Sequence, residues 1–342
     1  MEKNFFVYLK GLVFWLFVAS FFVVGFISAW FVRPHYYSSI SSRGALIREG
    51  QQNLINPLLS CEISEEKEFY EFKPLKAEIA DVVRQDMGQN KASSVSLYFR
   101  ALNSGRWFGL NQDEKFSPAS MLKVPVMIAY FKLAESNPAV LSKSITYQGG
   151  LDRNVPEFMK PLHTLQIGAT YTIEDLISHM VIYSDNNAQY LLRQSLDPHS
   201  LTEVYTDLGL TIPKSDEEVD FMSPKTYGFI FRVLYGATYL NRFYSNKALE
   251  LLKNTEFKDA LVTGLPSDTT VVHKFGERTV YTPTGDLQFR ELHDCGIIYY
   301  PSHPYLICVM TRGSNFEDLK ATIADISRVT YNGIVHFFKD KK

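Results

Sequence analysis

The chain carries no excess of charge of either sign: 35 Lys and Arg against 37 Asp and Glu leave a formal net charge of -2. That removes the basic field by which a nucleic-acid-binding domain collects phosphates, so no nucleic-acid partner is expected. Cysteine is scarce as well. Three residues, Cys61, Cys295 and Cys308, cannot all pair, so no disulfide framework is encoded. Cys61 follows Leu58-Leu59-Ser60 but lies too far from the apolar N-terminal segment for a lipoprotein cleavage site, and reads as a linker thiol. The histidines His163, His179, His273, His293 and His336 lack any ligand spacing such as H-E-x-x-H, so no metal and no other cofactor is expected. His273 and His293 adjoin two late strands and could line a cleft, though a structural role is preferred for each. Internal repeats are absent too.

One long apolar run is present. Residues 11–32 contain no charge, and as a helix they are long enough to cross a hydrocarbon core of about 30 Å. A secretory signal has an apolar core of only about 7–15 residues, so an uncleaved single-pass anchor is favoured, with cleavage at the small Ser28-Ala29 left open as the alternative. Lys3 and Lys10 precede the span, while Arg33, Arg43 and Arg48 follow it, so counting positive charges does not orient it. The chain then divides into an anchor with a short tail (1–36), a polar, acid-rich tether (37–73) and a folded domain (74–342).

Within that domain, Pro74 suits the first turn of a helix running to about Met87. Val95, Leu97 and Phe99 alternate, Asn103-Ser104-Gly105 turns, and residues 107–110 return, which predicts a hairpin. A helical middle spans about 118–260. Two more strands, 294–300 and 305–312, flank Pro301-Ser302-His303-Pro304. A capping box of Ser314 and Glu317 opens a last helix, in which Phe316, Leu319, Ile323, Ile326, Thr330, Ile334 and Phe337 recur at helical spacing. Strands at both ends with helices between predict one antiparallel sheet closed by distant segments around a helical insertion. If Tyr300 pairs with Tyr305, Cys295 and Cys308 become diagonal neighbours about 7–8 Å apart. That is at or beyond disulfide reach, so both are expected as free thiols.

Ser120-Met121-Leu122-Lys123 places a hydroxyl and an amine three residues apart where a helix should begin. On one helix face the amine can reach the hydroxyl, and a desolvated lysine can act as base. The free N–H groups of a helix start favour developing negative charge. By chance about one such S-x-x-K match is expected in a chain this long. Ser64-Glu65-Glu66-Lys67 in the tether is a second one and receives no role. Ser184-Asp185-Asn186 follows an apolar stretch capped by Thr172 and Asp175, and by itself could be a polar turn. Lys274-Phe275-Gly276 follows the β-branched run 269–272 and belongs on a strand, where Gly276 would permit close backbone approach.

Together and in this order, the three elements resemble the S-x-x-K, S-D-N and K-T-G set of class A β-lactamases and penicillin-binding proteins. The resemblance covers about residues 90–338. It implies an α/β (α+β) serine hydrolase, with an antiparallel sheet flanked by helices plus an all-helical subdomain. It implies Ser120 as acylated nucleophile, Lys123 as its activating partner and Ser184 as proton relay to the leaving nitrogen. Asp185 would be structural, Asn186 would hold the substrate's amide carbonyl, and Lys274 its carboxylate. The backbone N–H groups of Ser120 and Glu277 would form the oxyanion hole. Two departures stand out. Phe275 replaces the threonine of K-T-G, and the segment 211–221 (TIPKSDEEVDF) lacks the Glu-x-x-x-Asn element that activates water for deacylation. Glu217 or Glu218 could substitute, but acids in such a loop are more often simply solvated.

The reading is a membrane-anchored enzyme with its catalytic domain outside the cytoplasmic membrane, taking β-lactams or acyl-D-alanyl peptides as substrates. A D-alanyl-D-alanine peptidase or transpeptidase is the rival within enzymes, favoured by the missing glutamate. A non-catalytic wall-binding or sensor module is the rival of another class, and the presence of both Ser120 and Lys123 argues against it.

Overall fold

The alternation at Val95, Leu97 and Phe99 builds β1 (Ser94–Ala101), which turns back into β2 (Trp107–Leu110) in the computed structural model. Residues 68–211 and 219–339, with Leu54, are described. The apolar run 11–32, most of the tether, Cys61, the second S-x-x-K at Ser64, and Glu217 and Glu218 lie outside the described residues. Among the described residues no helix is long and apolar enough to cross a membrane. The described contacts start ahead of Pro74. The Glu68 carboxylate accepts from Lys76 and from the Gly109 N–H, and the Phe69 N–H donates to Trp107 O.

Helix α1 (Lys73–Gly88) has Pro74 in its first turn and buries Leu75, Ile79 and Val83. After β2 the helical insertion runs through α2 (Lys123–Ser136), the small strands β3 (Ser144–Thr146) and β4 (Thr170–Thr172), then α3 (Ile173–Ile182). It continues with α4 (Asn186–Ser195), α5 (Pro198–Asp207), α6 (Pro224–Gly236) and α7 (Arg242–Lys253). The chain returns as β5 (Val271–Tyr281), β6 (Leu287–Ile298) and β7 (Tyr305–Gly313), and ends in α8 (Phe316–Lys339). The five long strands form one sheet in the order β2-β1-β7-β6-β5, with every pairing antiparallel. Pairing of β1 with β7 joins the two ends of the domain, as the sequence predicts.

Each face of the sheet owns a core. Val95, Leu97, Phe99, Ile307 and Val309 pack with α1 and α8, while Ile297, Leu306 and Met310 pack with the helical insertion. Helix α2 is apolar on nearly every side, from Val124 to Phe131, and sits in the middle of that insertion. It is the rigid mount for whatever its N-terminus carries.

Two local expectations are corrected. Asn315, not Ser314, caps α8: its side-chain oxygen accepts from the Glu317 N–H at 3.0 Å. The connection between β6 and β7 is longer than 301–304, because Ile298 rather than Tyr300 faces Tyr305. That shift of two residues puts Cys295 directly opposite Cys308, and the two form a disulfide rather than free thiols. The bridge spans a separation of 13 residues. Closing a loop of that size is worth about 3 kcal/mol in chain entropy. The expected result is one titratable thiol in the denatured, unreduced chain, and a Cys295→Ala/Cys308→Ala variant less stable by about 2–3 kcal/mol in urea unfolding. Three thiols would contradict the pairing.

Candidate active site

Ser120 lies in a 3₁₀ turn, Ala119–Leu122, that runs straight into α2. In a 3₁₀ turn residues i and i+3 eclipse one another, so Ser120 and Lys123 are brought into line more closely than an α-helix would bring them. Ala119 takes φ 47°, in the left-handed region, which marks the turn as held by its surroundings. Part of that hold is β5. A Cβ on Gly276 would lie 2.6 Å from Pro118 O and 3.3 Å from Met121 N, so only glycine lets the strand seat against the turn. The close approach that Gly276 permits is therefore to the protein's own Ser120 turn. His293 ties the turn from the other side. Its Nε2–H donates to Ser117 O at 3.0 Å and its Nδ1 accepts from the Thr311 N–H at 3.3 Å. Burial pushes that imidazole down to about 3, which fixes it as the neutral tautomer these two bonds require.

Lys123 is completely buried, and four oxygens surround its Nζ: Asn186 Oδ1 and Ser120 Oγ at 2.6 Å, Ser184 O at 2.7 Å and Ser184 Oγ at 3.0 Å. Two of these, the amide and the carbonyl oxygen, can only accept. A neutral amine has two N–H groups for them and one lone pair left, which suits the Ser120 hydroxyl as donor. Burial drives the amine down to about 7, against the opposing pull of Glu157, Asp185 and Glu277. Ser184 offers both its oxygens to Lys123 because its backbone sits at φ 60°. Its hydroxyl also receives Lys274 Nζ at 2.9 Å, so one hydroxyl bridges the two lysines.

Lys274 is buried too, and its amine donates to Ser184 Oγ and, at 3.3 Å, to Phe275 O. Burial, reinforced by the neighbouring Lys123, holds it well below the ordinary lysine value. The Phe275 ring stacks on Phe257 at 4.1 Å and lies 4.2 Å from Lys274 Nζ, covering the amine where the family pattern has a hydroxyl. Residues alternate in direction along β5. The Tyr299 N–H bonds to Thr270 O, which aims the even positions at β6, and His273 O turns outward to accept from Thr255. By the same alternation the Glu277 N–H points outward from the open edge of β5, beside the Ser120 turn.

Asp185 caps α4 and accepts four hydrogen bonds at 2.8–3.1 Å, from Asn187 N, Asn154 Nδ2, Leu165 N and Thr164 Oγ1. It thereby pins the connection between β3 and β4 to the start of α4. Asn154, which the sequence does not mark, accepts from the Asn186 N–H at 2.8 Å. Glu157 on the same connection accepts from Asn186 Nδ2 at 2.6 Å and is hydrogen-bonded to Glu277. Burial and Glu157 together raise the Glu277 carboxyl to about 7. His273 is buried against Asp294 at 2.8 Å. Among the described residues no cluster could hold a metal ion.

A family model described as the beta-lactamase enzyme family matches residues 74–334. Beta-lactamase SME-1 of Serratia marcescens is 22% identical over 250 residues, covering 68% of this chain and 81% of that protein. Among solved structures, PBP-A superposes with a TM-score of 0.62 at 20% identity, over 77% of this chain and 97% of its own. A β-lactamase from Sphaerobacter thermophilus gives 0.62 at 22% identity, over 75% and 96%. At these identities the structural likeness is a likeness of fold.

Proposed function

This chain belongs to the beta-lactamase enzyme family, and on that premise we propose that it is a serine acyl-transfer enzyme whose Ser120 takes the acyl group of a β-lactam or related amide. One observation carries the reading: the buried, desolvated amine of Lys123 lies 2.6 Å from Ser120 Oγ with its N–H groups already committed elsewhere. Ser120 Oγ attacks the carbonyl while its proton passes to Lys123. The tetrahedral oxyanion is held by the Ser120 and Glu277 N–H groups. As the C–N bond breaks, the Ser184 hydroxyl protonates the leaving nitrogen and is resupplied by the amines that flank it. Asn186 Nδ2 takes the substrate's side-chain amide carbonyl, and Lys274 faces its carboxylate through Ser184. No metal or cofactor enters these steps.

A D-alanyl-D-alanine peptidase is the second reading, supported by the segment 211–221, which lacks Glu-x-x-x-Asn, and by the likeness to PBP-A, a point mutant of which is known as an acyl-enzyme with penicillin G. As part of the same proposal, residues 11–32 anchor the chain in the cell membrane and the catalytic domain faces outward. The Cys295–Cys308 bridge supports an oxidising compartment. The test is covalent labelling of the full-length chain in detergent by a fluorescent penicillin. Ser120→Ala abolishes the label and Ser64→Ala leaves it intact. A label that survives Ser120→Ala would refute the assignment.

A further inference from the structure

Asn186 stands at the centre of the site with no donor to spare. Its amide has two N–H groups. One goes to Arg153 O at 3.2 Å, the other to Glu157 Oε1 at 2.6 Å, while Oδ1 accepts from Lys123. A bond to a carboxylate is the stronger kind. Glu157 is held in turn: its carboxyl is hydrogen-bonded to Glu277, and Glu277 Oε1 accepts from the Met159 N–H at 2.5 Å. Two carboxyl groups bond to each other only through a shared proton, which the raised affinity of Glu277 supplies near neutral pH. The run 153–159 therefore stretches from Asn186 to the outward edge of β5. Those are the two places where the acyl-transfer reading needs its substrate.

We propose that Glu157 is a gate residue that mimics the substrate, its carboxylate occupying on Asn186 the place of an incoming amide carbonyl, so that acylation of Ser120 requires Glu157 to leave. This rests on the acyl-transfer reading, which alone brings an amide carbonyl to Asn186. No covalent bond changes at the gate. The Asn186–Glu157 hydrogen bond is exchanged for one between Asn186 and the substrate. The run 155–159 swings on anchors at its N-terminal end, where Asp152 accepts from Asn187 and Asn154 donates to Asp185. Specificity follows. A substrate with an acylamide carbonyl competes with Glu157 for Asn186, and one without it does not.

The experiment measures second-order acylation of Ser120 in the full-length chain by intact-mass spectrometry. Glu157→Ala accelerates acylation by benzylpenicillin about tenfold, the scale of one charge-assisted hydrogen bond no longer opposed. The rate with 6-aminopenicillanic acid, which has no acylamide carbonyl, changes less than about twofold. Glu157→Gln, whose carbonyl still accepts from Asn186 but without the charge, gives a smaller rise of about two- to threefold. Without any ligand, amide hydrogen exchange over 153–160 rises in Glu157→Ala and not in Glu157→Gln. An unchanged benzylpenicillin rate in Glu157→Ala, or an equal rise with both penams, overturns the gate alone. Absence of any label on Ser120 in the wild type and every variant sinks the acyl-transfer reading and the gate with it.

Discussion

Lys123→Met slows acylation of Ser120 by about 10³-fold, within the 10²–10⁴ that a positioned general base contributes. Methionine keeps most of the side chain's volume, is one atom shorter, and removes the amine with its lone pair. Burial is what would let the wild-type amine serve as a base, because it lowers the amine to about 7 where an exposed lysine would be charged. Wild-type acylation consequently rises with pH through about 7 and levels above it, and the variant loses that rise. Stability moves in the same window. Between about 7 and 10.5 the unfolded chain binds a proton at Lys123 that the folded chain does not. Wild type therefore gains stability over that range as pH rises, and below it the folded protein carries the cost of a buried charge. Stopped-flow labelling and urea unfolding, each from pH 6 to 9, check the two halves. Acylation that stays within tenfold of wild type, with the same pH profile, would move the base elsewhere.

The groups around Lys123 were readable in the sequence because each is set by local spacing. Ser120 and Lys123 are three residues apart on one turn, and Ser184-Asp185-Asn186 follows a helix whose cap at Thr172 and Asp175 is present as a full capping box. Lys274 is legible from the strand around it. The pairings that close the site are not local. Glu157 meets Glu277 across 120 residues, and its connection between β3 and β4 has no periodicity from which a direction could be read. Asn154 is hidden in the same way. The disulfide was missed because strand register depends on turn length, which Pro301 and Pro304 suggest but do not fix. A slip of two residues keeps every side chain on its face, so the alternation of apolar positions gave no warning. Phe275 was legible as a departure, but only the fold shows its ring turned onto Phe257, across Lys274 Nζ.

The second expected result is slow turnover of penicillin, preceded by a burst of Ser120 acylation. On the proposed reading, acylation would draw on Lys123, Ser184 and two backbone N–H groups beside Ser120. Deacylation needs something further, a water on the far side of the ester with a base in hydrogen-bond reach. In the resembled class A enzymes a loop glutamate and its asparagine neighbour hold that water, and the segment between α5 and α6 has no such pair. Its described end is committed to other work. Asp220 accepts from Arg278 at 3.0 Å and from Arg312 at 2.9 Å, and Met222 bonds to Phe116. Glu157 is already engaged by Asn186 and Glu277. Loss of general-base help costs about 10²–10⁴ in rate, or roughly 3–5 kcal/mol of barrier. Lys123, regenerated once the leaving nitrogen is protonated, can still draw a proton from water at a lower rate, so release is slow rather than absent. Quench-flow mass spectrometry therefore shows a long-lived adduct on Ser120, with steady hydrolysis about 10²-fold or more below acylation. Fast turnover that falls sharply in Glu217→Gln or Glu218→Gln would place the missing base in that segment after all.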